Sequence, residues 1–164
     1  MNKITLAYLA GLVDGEAYIG IKKTQPNHKL TGRVNCGYHE RIQIRMVDEP
    51  AIKLFTETFG GWYYKEKPHS HKGRLLYCYQ ASDNKASEIL KLLLPYLTVK
   101  RKSAETVLKL RESKNNPVKI KTSVVSQSRW GTPMTGQRTT LAPEVIDFRE
   151  SIYLLCKSIN KGDV

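Results

Sequence analysis

Apolar residues recur along the chain with two periods, and the points where the period changes mark its elements. Leu6, Leu9, Ala10 and Val13 stand at helical spacing, so Thr5 to Val13 is predicted as a helix with Thr5 as its N-cap. From Tyr18 to Thr24 the period drops to two: Ile19 and Ile21 alternate with Tyr18, Gly20 and Lys22. Pro, Asn, His and Gly over residues 25 to 32 predict a turn or loop. Arg41 to Met46 alternates again, with Ile42, Ile44 and Met46 on one face and Arg41, Gln43 and Arg45 on the other. Asp48-Glu49-Pro50 opens a helix whose stripe is Ile52, Leu54, Phe55 and Phe59, and Gly60-Gly61 closes it.

Two further strands, Trp62 to Lys67 and Arg74 to Ala81, flank a polar loop holding His69, His71 and Gly73. Asp83 is placed to cap a helix through Leu94 that carries Ile89, Leu90 and Leu93. After Pro95 another helix runs from about Lys100 to Ser113. Residues 115 to 140 are polar and basic, with Trp130 isolated, and are expected to form an extended surface segment. A last helix opens at Pro143-Glu144, with Val145, Phe148, Ile152, Leu155 and Ile159 near one face. The order predicts an α+β domain on one antiparallel sheet: a core over residues 1–114, then a basic tail and C-terminal helix over 115–164 packed on it.

Charge narrows the function. Lys and Arg number 27 against 15 Asp and Glu, a formal +12 with a pI near 9.7. Such an excess points to a polyanion, because each neutralised phosphate releases condensed counterions. No apolar stretch approaches the roughly 18 residues a bilayer span needs, so no membrane partner is expected. Residues 1 to 4 lack the features of a signal peptide. Cys36, Cys78 and Cys156 include no C-x-x-C pair, which argues against a disulfide framework or zinc site and for free thiols inside a reducing compartment of the cell. His69-x-His71 and Cys36-x-x-His39 lack a partner pair at zinc spacing and are set aside as ligands.

One segment carries more chemistry. In Leu9-Ala10-Gly11-Leu12-Val13-Asp14-Gly15-Glu16-Ala17, Ala10 and Gly11 lack bulk, so two such helices can pack backbone against backbone. The helix is expected to end at Asp14-Gly15, with Glu16 at its exit just before a strand. Two copies side by side would bring two carboxylates together at the bottom of a groove, which calls for a divalent ion such as Mg²⁺. A lone L-A-G-L would be an ordinary amphipathic helix, but nine positions in register that open an alternating strand in a basic chain carry more.

This segment resembles the signature of the LAGLIDADG homing endonucleases, departing from it at Glu16, where the second Asp stands, and at Ala17, where the final Gly stands. The resemblance implies an αββαββα fold whose saddle-shaped antiparallel sheet lies in the DNA major groove. With one motif copy it also implies a homodimer. The implied activity is intron-encoded, site-specific cleavage of both strands of double-stranded DNA at a long pseudo-palindromic site, with Mg²⁺ and no small-molecule cofactor. A non-cleaving binder on the same fold, a maturase or a transcription regulator, is the alternative. Glu16 is implied as metal ligand with the carbonyl of Gly15, and Leu6, Ala10, Gly11 and Asp14 as dimer interface, Asp14 alternatively serving the helix end. Arg45 aligns with a side chain near the scissile phosphate, Gln43 being its alternative. Lys100 aligns with a lysine facing the active site, with Arg101 and Lys102 adjacent.

Strand parity then selects groove readers. Tyr18, Lys22 and Thr24 are expected on the first strand and Arg41 and Gln43 on the second. Tyr63, Lys65 and Lys67 follow on the third, if Trp62 and Tyr64 turn inward, and Tyr77 and Tyr79 on the fourth. Lys119, Lys121, Arg129 and Arg138 in the tail are expected on phosphates, with Trp130 beneath the loop.

Overall fold

The first helix is longer at both ends than its apolar spacing implies. In the computed structural model, which describes residues 2–26, 35–67, 73–127 and 133–163, α1 spans Lys3–Glu16. Asn2 rather than Thr5 caps it, its side-chain oxygen accepting the Ile4 N–H at 3.0 Å. Asn is at least as good a cap as Thr, and capping three residues earlier adds most of a turn. At the far end the helix continues through Asp14 and Gly15 to Glu16, and Ala17 starts a strand at once.

There follow β1 (Ala17–Thr24), β2 (Gly37–Met46), α2 (Glu49–Phe59), β3 (Tyr63–Glu66), β4 (Leu76–Ser82) and α3 (Asp83–Leu93). A 3₁₀ turn at Leu94–Tyr96 leads to α4 (Arg101–Asn115), β5 (Lys119–Gln127), β6 (Pro133–Leu141) and α5 (Pro143–Lys161). Asp48 caps α2 through the Ala51 N–H at 3.1 Å, and Gly60 and Gly61, at φ of 75° and 99°, turn the chain out of it in a conformation costly for other residues.

Strands β1 to β4 form an antiparallel sheet in the order β1-β2-β4-β3. Ile42 stands opposite Ile19 and Ala81, and Ile44 opposite Ala17 and Tyr79. Residues directly opposite share a face, so the alternation read in β1 and β2 propagates across the ladder and makes one face apolar. Onto it pack Leu6, Leu9, Ala10 and Val13 of α1, Phe55 and Phe59 of α2, Ile89, Leu90 and Leu93 of α3, and Val107 and Leu110 of α4. The expected αββαββα order holds through α3.

Helix α5 closes the open edge of β1. Ile152 and Cys156 enter the core, and Asn160 Nδ2 donates to the Ile19 carbonyl of this edge strand at 2.9 Å. Lys23 and Tyr38, opposite each other on β1 and β2, both donate to the Glu150 carboxylate, the lysine at 2.7 Å. Phe148 and Leu155, expected near one face with Ile152, are exposed. The segment expected to be extended along the surface pairs as a two-stranded ribbon, β5 with β6, with Lys119 opposite Leu141 and Thr122 opposite Arg138.

A charged cluster lies under the sheet. Glu40 is fully buried and accepts from Arg111 at 2.8 Å and Lys114 at 2.6 Å. Lys114 also donates to Asp83 at 3.0 Å, whose carboxylate meets His39 Nδ1 at 3.1 Å. Asp83 therefore does not cap α3 through its side chain. It is the first residue of that helix, with a positive φ of 53°, and its carboxylate spans from the open face of the sheet to α4. Among the described residues no helix is long and apolar enough to cross a membrane.

Candidate nucleic-acid interface

The open face of the sheet follows from the register. Tyr18 stands opposite Gln43 and Lys22 opposite His39, while Gln43 stands opposite Gln80 and Arg45 opposite Cys78. Tyr64 faces Cys78 across the β3–β4 pair. This face therefore carries Tyr18, Lys22 and Thr24, then His39, Arg41, Gln43 and Arg45, then Cys78 and Gln80, then Tyr64 and Glu66. The expected readers of β1 and β2 are all on it.

Those of β3 and β4 are not. Tyr63 stands opposite Tyr79 and Lys65 opposite Tyr77, on the face that Ile42 and Ile44 turn to the helices. Tyr79 is 1% exposed, and its hydroxyl donates to the Gly60 carbonyl at 2.9 Å. Tyr63 donates to Glu49 of α2 at 2.7 Å, Tyr77 packs against the core, and Lys65 lies over the Tyr77 ring at 5.4 Å. Lys67 is exposed just past the end of β3. Strand β3 has a tyrosine on each face, and β4 sets Tyr77 and Tyr79 against Leu76 and Cys78, so these four positions do not choose between the faces. Ala81, small and apolar, shares parity with Tyr79 and could have marked the buried face, as the polar Gln80 could have marked the open one. Trp62, expected inward, is 72% exposed and lies 5.8 Å from the Tyr64 ring.

The open face is internally bonded. Arg41 Nη2 donates to Gln43 Oε1 at 2.9 Å and to Gln80 Oε1 at 2.6 Å. Arg45 is paired with Glu66, and that pair covers Cys78, whose thiol donates to Glu66 at 3.2 Å. Cys78 and the Glu66 carboxylate hold the Arg45 pKa above its ordinary value.

Glu16 and Arg45 are at the same end of this face. The register pairs Ala17 with Ile44, and each of the two residues lies one position further on its own chain segment. Lys100 reaches the same end: its ammonium donates to the Val13 carbonyl at 3.0 Å and its backbone N–H to Asp14 Oδ1 at 2.8 Å. Burial draws the Lys100 pKa below 10.5, against the opposing fields of Asp14 and Glu16. Arg101 turns instead to the carbonyls of Leu97, Leu94 and Pro95, and Lys102 is exposed on α4. Glu16 itself is exposed, and Gly15 beside it has open space around its Cα.

The expected dimer residues divide. Leu6 and Ala10 are buried in the chain's own core, and the Asp14 carboxylate is engaged by the backbone of Thr98 and Lys100. The stripe of α1 left exposed is Ile4, Ala7, Tyr8, Gly11 and Gly15. Of the expected set Gly11 alone lies on it, because the helical period places Ala10 beside Leu6 and Val13 in the core. Of the tail residues, Lys119 and Lys121 are exposed along β5, and Arg138 lies in β6. Arg129, Trp130, His69 and His71 lie outside the described residues, as does the side chain of Arg138.

A four-stranded antiparallel sheet with helices packed on one face, as built here, is similar to known structures. The homing endonuclease I-CvuI, in complex with the I-CreI target, superposes at a TM-score of 0.53 and 20% identity over 70% of this chain and 69% of that one. The archaeal intron-encoded homing endonuclease I-Vdi141I, complexed with DNA, gives 0.54 and 14% over 69% and 70%. The group I intron-encoded I-CeuI, complexed with DNA, gives 0.53 and 15% over 70% and 57%. The chain has the LAGLIDADG fold. No protein-family model and no curated protein sequence matches it. In this fold Glu16 closes α1 where the sheet begins.

Proposed function

We propose that two copies of this chain form a site-specific, divalent-metal-dependent endonuclease acting on double-stranded DNA. The observation that carries the reading is the position of Glu16, an exposed carboxylate at the C-terminal end of α1, at one end of a cationic sheet face and beside the Lys100 ammonium. A surface that only bound phosphate would gain nothing from an acid there.

The donors present fit half of a hard-cation site. Glu16 and the Gly15 carbonyl offer oxygen alone, which suits Mg²⁺ or Ca²⁺. Mg²⁺ is held by one or two carboxylates with substrate phosphate and water, so Glu16 of a second copy would supply the second acid. A divalent ion held there would supply positive charge to the phosphate being cut. The Lys100 ammonium would add a cation at the same phosphate, and Arg45 would bind the backbone beside it.

The sheet would lie in the major groove with Lys22, Arg41, Gln43 and Gln80 toward the bases. Lys119 and Lys121 would reach phosphates at its margin. The test is selection of bound duplexes from a random pool, followed by incubation of the selected site with Mg²⁺ and with Ca²⁺. Cleavage of both strands in Mg²⁺ is expected, and its loss in Glu16→Gln with binding kept. Selective binding with no cleavage in any divalent ion would move the chain to the non-cleaving alternative.

A further inference from the structure

Strand β4 and the residue that leads into β3 form a corner on the open face of the sheet. Trp62, Tyr64 and Gln80 line a space of about 120 Å³ there. The register that sets Tyr64 against Cys78 brings position 62 level with Gln80, so the indole and the amide flank one gap. Trp62 is 72% exposed on a face otherwise lined with polar and charged groups.

The orientation of the Gln80 amide follows from Arg41. A guanidinium has donors only, so the side of the amide toward Arg41 Nη2 must be its oxygen, here at 2.6 Å. The Gln80 NH₂ group is thereby turned away from Arg41. The same nitrogen of Arg41 is also bonded to Gln43, and Arg41 Nε is buried without a hydrogen-bond partner among the described residues. Neither edge that includes Nε or Nη2 is open to grip a guanine with two parallel bonds without breaking a glutamine contact. Arg41 is thus a positioning residue, and Gln80 the group it aims.

We infer that this corner is a thymine pocket, with the Gln80 N–H donating to O4 and the C5 methyl seated against Trp62 and Tyr64. Thymine is the base whose major-groove edge joins an acceptor oxygen to an apolar methyl. The space is several times the ~30 Å³ that one water occupies in the liquid, which is room for a methyl with its neighbouring ring edge. The inference rests on the reading of the sheet as the DNA-binding face and adds the base it selects there.

The experiment uses the intact protein and the duplex it selects from a random pool. Each thymine is replaced in turn by deoxyuridine, at both symmetric positions together, which removes only the methyl. Binding should weaken about fourfold per half-site at one thymine position, the value of one buried carbon. Trp62→Ala should bind the thymine and deoxyuridine duplexes equally, and Gln80→Glu should shift the preference at that position from thymine to cytosine, whose N4 group donates. Trp62 is too exposed for its loss to unfold the chain. Indifference to the methyl at every thymine, or discrimination undiminished in Trp62→Ala, overturns the pocket alone. Failure to select any duplex overturns the DNA reading and the pocket with it.

Discussion

The Asp14 carboxylate accepts the Lys100 backbone N–H at 2.8 Å, and the Lys100 ammonium donates back to the Val13 carbonyl at 3.0 Å. This clasp binds the end of α1 to the turn before α4, and so sets the distance between Glu16 and the lysine charge. It also has a pH signature. Burial works against the Asp14 charge, but the N–H groups of Lys100, Thr98 and Val99, with the Lys100 ammonium, outweigh it and hold the pKa below 3.8. The folded chain then binds this proton less tightly than the unfolded one, so the contribution is complete above about pH 4 and is lost as pH falls through the lowered value. Asp14→Ala should cost about 1 kcal/mol at pH 7, as loss of a cap does, and the difference from the unaltered chain should shrink in acid. Urea midpoints that differ equally at pH 7 and pH 2.5 would contradict it.

Lys100 should show its charge in the alkaline limb of cleavage. Its pKa lies below 10.5, so the rate should fall before that pH is reached. Asp14→Asn, which removes a negative neighbour, should move the fall lower still. Lys100→Ala should slow single-turnover cleavage more than it weakens binding. A pH–rate profile flat to pH 10.5 would remove Lys100 from the chemistry.

Gly11 lies on the exposed stripe of α1, and among the described residues nothing would meet a side chain added there. Gly11→Leu should therefore fold normally and yet separate the proposed dimer, with DNA affinity falling in step. Sedimentation and circular dichroism check the two halves of this statement. A stable Gly11→Leu dimer of full affinity would place the two-fold axis elsewhere.

The corrected parity of β3 can be tested in solution. Gln43→Ala and Lys22→Ala should change base preference at symmetric positions, costing about 1–3 kcal/mol for a lost base contact. Lys65→Ala, on the helix side of the sheet beside Glu49, should leave the selected sequence unchanged. Lys119→Ala should lower specific and non-specific affinity alike and flatten the salt dependence. A changed consensus in Lys65→Ala would reverse the assignment of faces.

Glu40 holds Arg111 and Lys114 beneath the sheet with no exposure of its own. Glu40→Ala should destabilise the fold by roughly 3–5 kcal/mol, since it leaves two cations to a half-exposed Asp83. Equilibrium urea unfolding measures it, and a loss under 1 kcal/mol would mean that the cluster relaxes into water.

The chain's periodicity determined a good deal by itself. The stripe Leu6, Leu9, Ala10 and Val13 and the alternation about Ile19, Ile21, Ile42 and Ile44 each have one apolar side, so burial could choose only one way. The same argument failed for Tyr63 to Lys65, with a tyrosine on each side, and for Tyr77 to Tyr79, whose tyrosines alternate with an equally buriable Cys78, and the choice passed to register. Register is a property of pairs of strands, so Tyr79 is buried because Ile44 is, and Gln80 is open because Gln43 is. The motif marked Glu16 and Gly11, but the partners of Asp14 and Arg41 lie 86 and 39 residues away. Such contacts leave no mark in local spacing. They exist only once the turn before α4 meets the end of α1 and β4 is laid beside β2, which is why the clasp at the candidate cleavage site and the corner at Gln80 were decided by tertiary structure alone.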